Sequence, residues 1–135
     1  MNIVITDGGR QAAGFPRNSR KGDCVVRAIA IAAERPYGLV RDELNDRACR
    51  LTDVVDGPVP REVYEPYLLE LGWRWKPTML IGSGCRVHLR AAELPMGRLI
   101  VRVSVHLVAV LDGVVHDLYD PTRNGGRCVY GYYHR

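Results

Sequence analysis

The segment NSRKGDCVVRAIAIAAE, residues 18–34, determines how the rest of the chain is interpreted. Its polar and basic first part runs directly into Cys24, and the residues that follow are almost wholly apolar. We expect a helix from Cys24 to about Glu34, with Asp23 at its N-cap. Because valine, isoleucine and alanine cover nearly every side of this helix and only Arg27 interrupts them, the helix is predicted to be central and buried.

Cys24 itself can be a small core residue or a nucleophile, and its position favours the second interpretation. The unpaired backbone N–H groups at a helix N-terminus carry about half a positive charge, which stabilises a thiolate. A cysteine placed there can have a pKa well below the free value of about 8.5. The carboxylate of Asp23 opposes this effect unless it is engaged in capping the helix. We therefore treat Cys24 as the candidate nucleophile.

The chain of 135 residues, 47% hydrophobic and 25% charged, is predicted to form one α+β domain over residues 1–135. Further helix signals occur at residues 35–51, 56–73 and 86–94, and strand signals at residues 2–6, 97–121 and 127–135. The first strand is expected at a sheet edge and is followed by a long ordered loop, residues 7–22. Pro66 is expected to kink or restart its helix, which should end at Gly72. Helices followed by strands predict a C-terminal antiparallel sheet.

The candidate partner of Cys24 is His106, which lies between apolar residues on both sides. A buried imidazole there is either a satisfied core histidine or the base of a thiol enzyme, and we expect the base. If Asp112–Gly113 is a two-residue hairpin turn, Asp117 shares the face of His106 and Asp120 points away. Asp117 is therefore the first candidate for the acid that orients the imidazole. Asp120 is the second, because a bulge at the strand end could turn it inward, and a dyad without an acid is the third.

Asn18 precedes Cys24 in the loop and has two interpretations. Attack on a carbonyl group builds negative charge on its oxygen, and hydrogen-bond donors must already point at that oxygen. The side-chain amide of Asn18 and the backbone N–H of Cys24 would supply two such donors. Alternatively, Asn18 is an ordinary turn-forming residue in the segment PRNS, residues 16–19.

This order of residues resembles the papain-like cysteine peptidases, and among them the small bacterial bacteriocin-processing peptidases. The matching pieces are Asn18, DC at residues 23–24, HLVAV at residues 106–110 and HDLYDP at residues 116–121. The resemblance implies a papain-like fold, with the cysteine-bearing helix packed on the sheet, and a thiol hydrolase or acyl transferase acting on a protein or peptide. The chain departs from the pattern in carrying asparagine where the family has glutamine, and the family's acid aligns with Asp120. The chain is also similar to short papain-like accessory proteins of phages and actinobacteria.

Cysteine usage and hydropathy predict a cytoplasmic protein without cofactors. No apolar run is long enough to cross a membrane, and the start MNIVITDGGR lacks the pattern of a signal peptide. The four cysteines are then expected to be reduced thiols, with Cys49 and Cys128 in the core. No CxxC pair occurs, which argues against a structural zinc site. We expect no metal and no other cofactor.

A rival hypothesis is a non-catalytic, phage-type binding protein that keeps this scaffold. The net charge is +4, and the densest basic patch is formed by Arg17, Arg20 and Lys21, just before Cys24. That loop could hold a protein or nucleic-acid partner, or its charges could simply be solvated. Nucleic-acid binding predicts an affinity that falls steeply with salt.

Overall fold

Helices occupy the first half of the chain and most of the strands occupy the second half. The structure, a computed structural model, describes residues 1–15, 22–52 and 58–135. Within these ranges the helices are α1 (Cys24–Ala33), α2 (Tyr37–Thr52) and α3 (Arg61–Glu70). The strands are β1 (Ile3–Ile5), β2 (Arg74–Pro77), β3 (Arg98–Val103), β4 (His106–Leu111), β5 (Val114–Asp117) and β6 (Val129–His134). The predicted α+β class is confirmed.

The six strands form a single mixed sheet with the order β1-β5-β4-β3-β6-β2. β1 lies at one edge, as predicted, and runs parallel to β5, whereas the other neighbouring strands are antiparallel. The C-terminal strands β3 to β6 are antiparallel, as predicted, and the parallel edge strand β1 makes the whole sheet mixed. A parallel partner needs a long crossover, and helices α1 to α3 lie in the connection between β1 and the rest of the sheet.

The predicted hairpin turn at Asp112–Gly113 is present and sets the register of β4 and β5. Both turn residues have positive φ values, 48° and 78°, which is typical of the tight turns that join two antiparallel strands. Leu111 pairs with Val114, and the ladder continues to the pair formed by Ala109 and His116. Because the strands are antiparallel, the first residue of β4 and the last residue of β5 lie at the same end of the hairpin.

Helix α1 is the centre of the main core, as the sequence predicted. Eight of its ten residues are buried, and it packs across β4 and β3. Alternate residues of β4 divide between two cores: Leu107 and Ala109 belong to the core around α1. Val108 and Val110 face a second core on the other side of the sheet. The alternation of a strand between two apolar layers explains the nearly continuous hydrophobic sequence of β4.

One predicted helix is not formed. Residues 86–94 form no α-helix but only a 3-10 turn at Ala91–Glu93, since His88 pairs in an isolated bridge with Cys128. The helix α3 is continuous through Pro66, so it does not restart there, and it ends at Glu70, close to the predicted end at Gly72, whose φ is 91°. The buried apolar face of α3 offsets the backbone hydrogen bond that a proline removes.

The prediction of four reduced cysteines is also wrong. Cys85 and Cys128 form a disulfide, with Cα atoms 5.7 Å apart. It lies next to the isolated bridge between His88 and Cys128. Cys49 is a free but exposed thiol rather than a core residue, and Cys24 is free and half-buried. Among the described residues, none of the helices combines the length and apolar character that a membrane span needs.

Candidate active site

Cys24 is the first residue of α1, and the carboxylate of Asp23 lies beside it in an unexpected role. Asp23 occupies the N-cap position, as predicted, but its side chain makes no capping hydrogen bond. Its carboxylate instead forms ion pairs with Arg27 and Arg10 and accepts a hydrogen bond of 3.0 Å from the Tyr37 hydroxyl. The negative charge that would oppose a thiolate is therefore already compensated.

His106 and Asp117 meet at the end of the β4–β5 hairpin. Nε2 of His106 lies 2.6 Å from Oδ2 of Asp117, and both side chains are almost fully buried, at 6% and 3% exposure. Asp120 is elsewhere: its Oδ1 accepts hydrogen bonds from the backbone N–H and the hydroxyl of Thr122, at 2.8 Å and 2.6 Å. Of the two acids that the sequence left open, Asp117 is thus the one in contact with the imidazole.

The thiol of Cys24 and the imidazole of His106 shift each other's pKa. Burial raises the pKa of the Cys24 thiol, but a hydrogen bond with His106, the backbone N–H of Leu107 and the charges of His106 and Arg27 together bring it below its ordinary value. Burial lowers the pKa of His106, while Asp117 and Cys24 outweigh that effect and raise it. Opposite shifts of this kind favour a thiolate–imidazolium pair.

Arg27, for which the sequence analysis predicted no role, connects the two carboxylates. Its guanidinium bonds to Asp23 and lies 3.3 Å from Oδ1 of Asp117, with only 8% of the side chain exposed. Oδ1 of Asp117 also accepts the backbone N–H of Leu118 at 2.7 Å. Both oxygens of Asp117 are thus engaged, which fixes the direction of the Oδ2 that faces His106. The one sequence signal was that Arg27 is the sole charged residue within an apolar helix.

A second set of hydrogen bonds, from the loop after β1 and from α2, supports Asp23. Nη1 of Arg10 donates to the Tyr37 hydroxyl at 2.7 Å and to Oδ2 of Asp23 at 3.2 Å. Burial and the nearby Asp23 carboxylate raise the pKa of Tyr37 to about 12, so its hydroxyl stays protonated and remains a donor. The loop after β1 is in this way tied to the start of α1.

The candidate site opens into a cleft of about 1380 Å³. Tyr119 lies over the imidazole of His106, with ring centroids 5.5 Å apart, and is half exposed at the mouth of the cleft. The lining residues come from α1 and α3 with the segments before them, from β3 and β4 with the turn between them, and from the segment after β5. They are Gly22, Cys24, Val25, Arg27, Pro58, Val59, Arg61, Tyr64, Arg102, Val103, Val105, His106, Leu107, Leu118, Tyr119, Asp120, Arg123 and Arg127.

Two sequence hypotheses fall on residues that the structure does not describe. Asn18, the predicted oxyanion donor, lies outside the described residues, and so does the basic loop formed by Arg17, Arg20 and Lys21. The backbone N–H of Cys24, at the first position of α1, belongs to the helix end whose amides lack intrahelical partners. Within the described ranges, no cluster of three or more His, Cys, Asp or Glu side chains could hold a metal ion.

No protein-family model matches this chain, and neither does any curated protein or solved structure.

Proposed function

We propose that this protein is a cysteine-dependent hydrolase that acts on an amide-like carbonyl group of a protein or peptide. Cys24 is the nucleophile, His106 the general base and acid, and Asp117 the group that orients His106. The observation that supports this assignment is the contiguous set formed by the Cys24 thiol, the His106 imidazole and the Asp117 carboxylate at the wall of an open cleft. A thiol activated by a base, which is itself held by a third group, is the usual signature of nucleophilic catalysis.

In the first half of the reaction, the thiolate of Cys24 attacks the carbonyl carbon and forms a C–S bond, and the π electrons move to the carbonyl oxygen. The tetrahedral intermediate collapses, the C–N bond breaks, and the leaving amine takes a proton from the His106 imidazolium. In the second half, neutral His106 removes a proton from water, which attacks the thioester and releases the acid and Cys24. Deamidation, transglutamination and thioester transfer use the same first half, so they belong to the proposed class.

The oxyanion needs donors close to Cys24. The backbone N–H of Cys24 is the first candidate, since it lies at the positive end of α1. Asn18 stays the proposed second donor from the loop before α1. The order of these groups along the chain is also what the resemblance to papain-like cysteine peptidases implies. On that basis we propose a papain-like fold, with the acid at Asp117 rather than at Asp120, where the resemblance would put it.

A cytoplasmic location stays a prediction, and the Cys85–Cys128 disulfide counts against it, because disulfides are rare in reducing compartments. The rival function, a phage-type binding protein that holds a protein or nucleic acid through its basic loop, also stays a prediction. Replacing Cys24 by alanine separates the two functions. An enzyme loses its effect while the fold remains intact, whereas a binding protein keeps its effect.

The proposed activation is tested by the pH profile of alkylation. Iodoacetamide is reacted with the protein between pH 5 and 9, and the modified Cys24 and Cys49 peptides are quantified by mass spectrometry. Cys49 is an exposed thiol outside the cleft and serves as the internal reference. We expect Cys24 to react well below pH 8.5, because its pKa is lowered. A Cys24 rate that rises only near the free-thiol value of about 8.5 contradicts an activated nucleophile.

Activity itself is assayed with a fluorogenic peptide library. Hydrolysis should be lost in Cys24→Ala and retained in Cys49→Ala, which removes a thiol of the same chain without touching the cleft. Equal hydrolysis by both variants would assign the activity to something other than Cys24.

A further inference from the structure

The walls of the cleft carry more positive than negative charge. Among the residues that the structure describes, five arginines and a single carboxylate line it, and the other lining residues are mostly apolar or aromatic. Two of the arginines are neutralised within the protein: Arg27 by Asp23 and Asp117, and Arg61 by Glu65 at 3.0 Å. The other three are Arg102, Arg123 and Arg127, named here the cleft arginines.

The cleft arginines form no ion pair with any carboxylate in the part of the chain that the structure describes. Arg102 packs over the ring of Tyr130, at 5.7 Å from its centroid. Arg127 is buried, at 7% exposure, and its guanidinium donates to the backbone carbonyl oxygens of Pro121 and Ser104. Arg123 is exposed in the turn after Asp120. Asp120 is the single lining carboxylate among the described residues, and its oxygen accepts hydrogen bonds within its own turn. Against this one negative charge, the three cleft arginines leave the described part of the wall with a net positive charge.

One of these positions is close to the proposed chemistry. Arg102 is the direct cross-strand partner of Leu107, whose backbone N–H bonds to the Cys24 thiol. Burial lowers the pKa of Arg127, and the positive charge of Arg123 lowers it further, which shows that these two cations share one region of the wall. Nη1 and Nη2 of Arg127 donate to carbonyl oxygens within the protein, so this residue mainly contributes charge. Arg102 and Arg123 pair with no carboxylate in the described ranges and can bind an anion.

We propose that the substrate is a peptide with aspartate or glutamate side chains next to the bond attacked by Cys24, and that their carboxylates pair with Arg102 and Arg123. This inference rests on the proposed function. Charge-assisted bonds between arginine and a carboxylate can be bidentate, which fixes geometry as well as adding energy. Apolar walls formed by Val25, Val59, Leu107 and Leu118 suit the rest of a peptide chain. A nucleic acid supplies anions but no acyl carbon beside them for a thiolate to attack.

The charge preference at Cys24 can be measured with two small probes of similar size, iodoacetate and iodoacetamide. The rate constant for iodoacetate is divided by that for iodoacetamide, separately for Cys24 and for Cys49 in the same protein. We expect this ratio to be roughly tenfold higher at Cys24, since a cleft of one sign concentrates the opposite ion. The difference should shrink in 1 M salt, where the Debye length is about 3 Å.

Variants assign the preference to named residues. The double variant Arg102→Gln, Arg123→Gln should bring the ratio at Cys24 close to that at Cys49. Arg74→Gln, which removes an exposed charge on β2 outside the cleft, should leave it unchanged. An equal ratio at Cys24 and Cys49 in a protein whose Cys24 reacts readily with both reagents overturns the acidic-substrate proposal alone. A Cys24 that reacts with neither reagent at neutral pH overturns the proposed function as well.

A competition experiment separates peptides from nucleic acids. An oligo-glutamate peptide and an oligothymidylate of equal charge are compared for protection of Cys24 against iodoacetamide. Protection by oligo-glutamate that is several-fold stronger than by oligothymidylate, and is lost in the double variant, supports the proposal. Protection by oligothymidylate that equals or exceeds that by oligo-glutamate overturns the assignment to a peptide.

Discussion

Replacing Arg27 by methionine removes a buried guanidinium that contacts both Asp23 and Asp117. The Asp23 and Asp117 side chains are only 13% and 3% exposed, so neither carboxylate can turn fully to bulk water without a structural change. Removing one partner of a buried ion pair costs about 3–5 kcal/mol. We expect the lower end, a loss of about 3 kcal/mol in the free energy of unfolding. Asp117 keeps His106 as a partner, and Asp23 keeps Tyr37.

The loss is measured by urea denaturation followed by tryptophan fluorescence, with the m-value compared to show that the two unfolding transitions are alike. Arg50→Met is the matched control. It breaks the ion pair between Arg50 and Asp46, which has the same i,i+4 spacing. The side chains of this pair are 69% and 70% exposed. An exposed pair of this kind contributes less than about 0.5 kcal/mol. If Arg27→Met loses no more stability than Arg50→Met, the buried network does not stabilise the fold and our account of how Asp117 is held is wrong.

Three further results are expected. His106→Asn should raise the pKa of the Cys24 thiol, because burial remains while the hydrogen bond and charge that lower it are removed; the alkylation profile should move to higher pH. Gly131→Ala should destabilise the protein by about 2 kcal/mol or more in urea denaturation, because the added Cβ would lie 2.7 Å from a backbone carbonyl oxygen of β2. Reducing the Cys85–Cys128 disulfide, which joins residues 43 positions apart, should lower the free energy of unfolding by about 2–4 kcal/mol.

The two substitutions have matched controls within the chain. His116→Asn replaces a second histidine of the hairpin that lies outside the cleft, and it should leave the Cys24 profile unchanged. Gly38→Ala adds a Cβ that meets only Phe15, at the ordinary distance of 3.9 Å, so it should be neutral or slightly stabilising. The first prediction is contradicted if the pH profile of Cys24 alkylation is unchanged in His106→Asn. The second is contradicted if Gly131→Ala and Gly38→Ala are equally stable, and the third if reduction leaves the free energy of unfolding unchanged.

The sequence predicted those parts of the fold and site whose signals are local. The apolar run after Cys24 was enough to predict α1. The Asp112–Gly113 dipeptide was enough to predict the hairpin and its register. That register then placed Asp117, ahead of Asp120, on the side of His106, because successive residues of a strand alternate between faces. The contact followed from counting positions along two strands.

The parts that were missed depend on partners far apart in the chain. Arg27 and Asp117 are 90 positions apart, so nothing near Arg27 showed that its charge would be neutralised. The segment 86–94 has a spacing that favours a helix, but it borders a disulfide and bridges to Cys128 instead. Tertiary pairing outweighed a weak local preference there. Cysteine pairing likewise cannot be read from spacing alone, since it depends on which strands become neighbours.

The parallel pairing of β1 with β5 has a consequence for biosynthesis. Residues 3–5 leave the ribosome first, yet their hydrogen-bonding partners, residues 115–117, emerge more than a hundred residues later. Asp117 is among those partners, and its backbone carbonyl oxygen accepts the N–H of Thr6. A nascent chain halted before residue 114 therefore contains Cys24 and His106 but not Asp117, and the contact between His106 and Asp117 can form only after residue 117 has emerged.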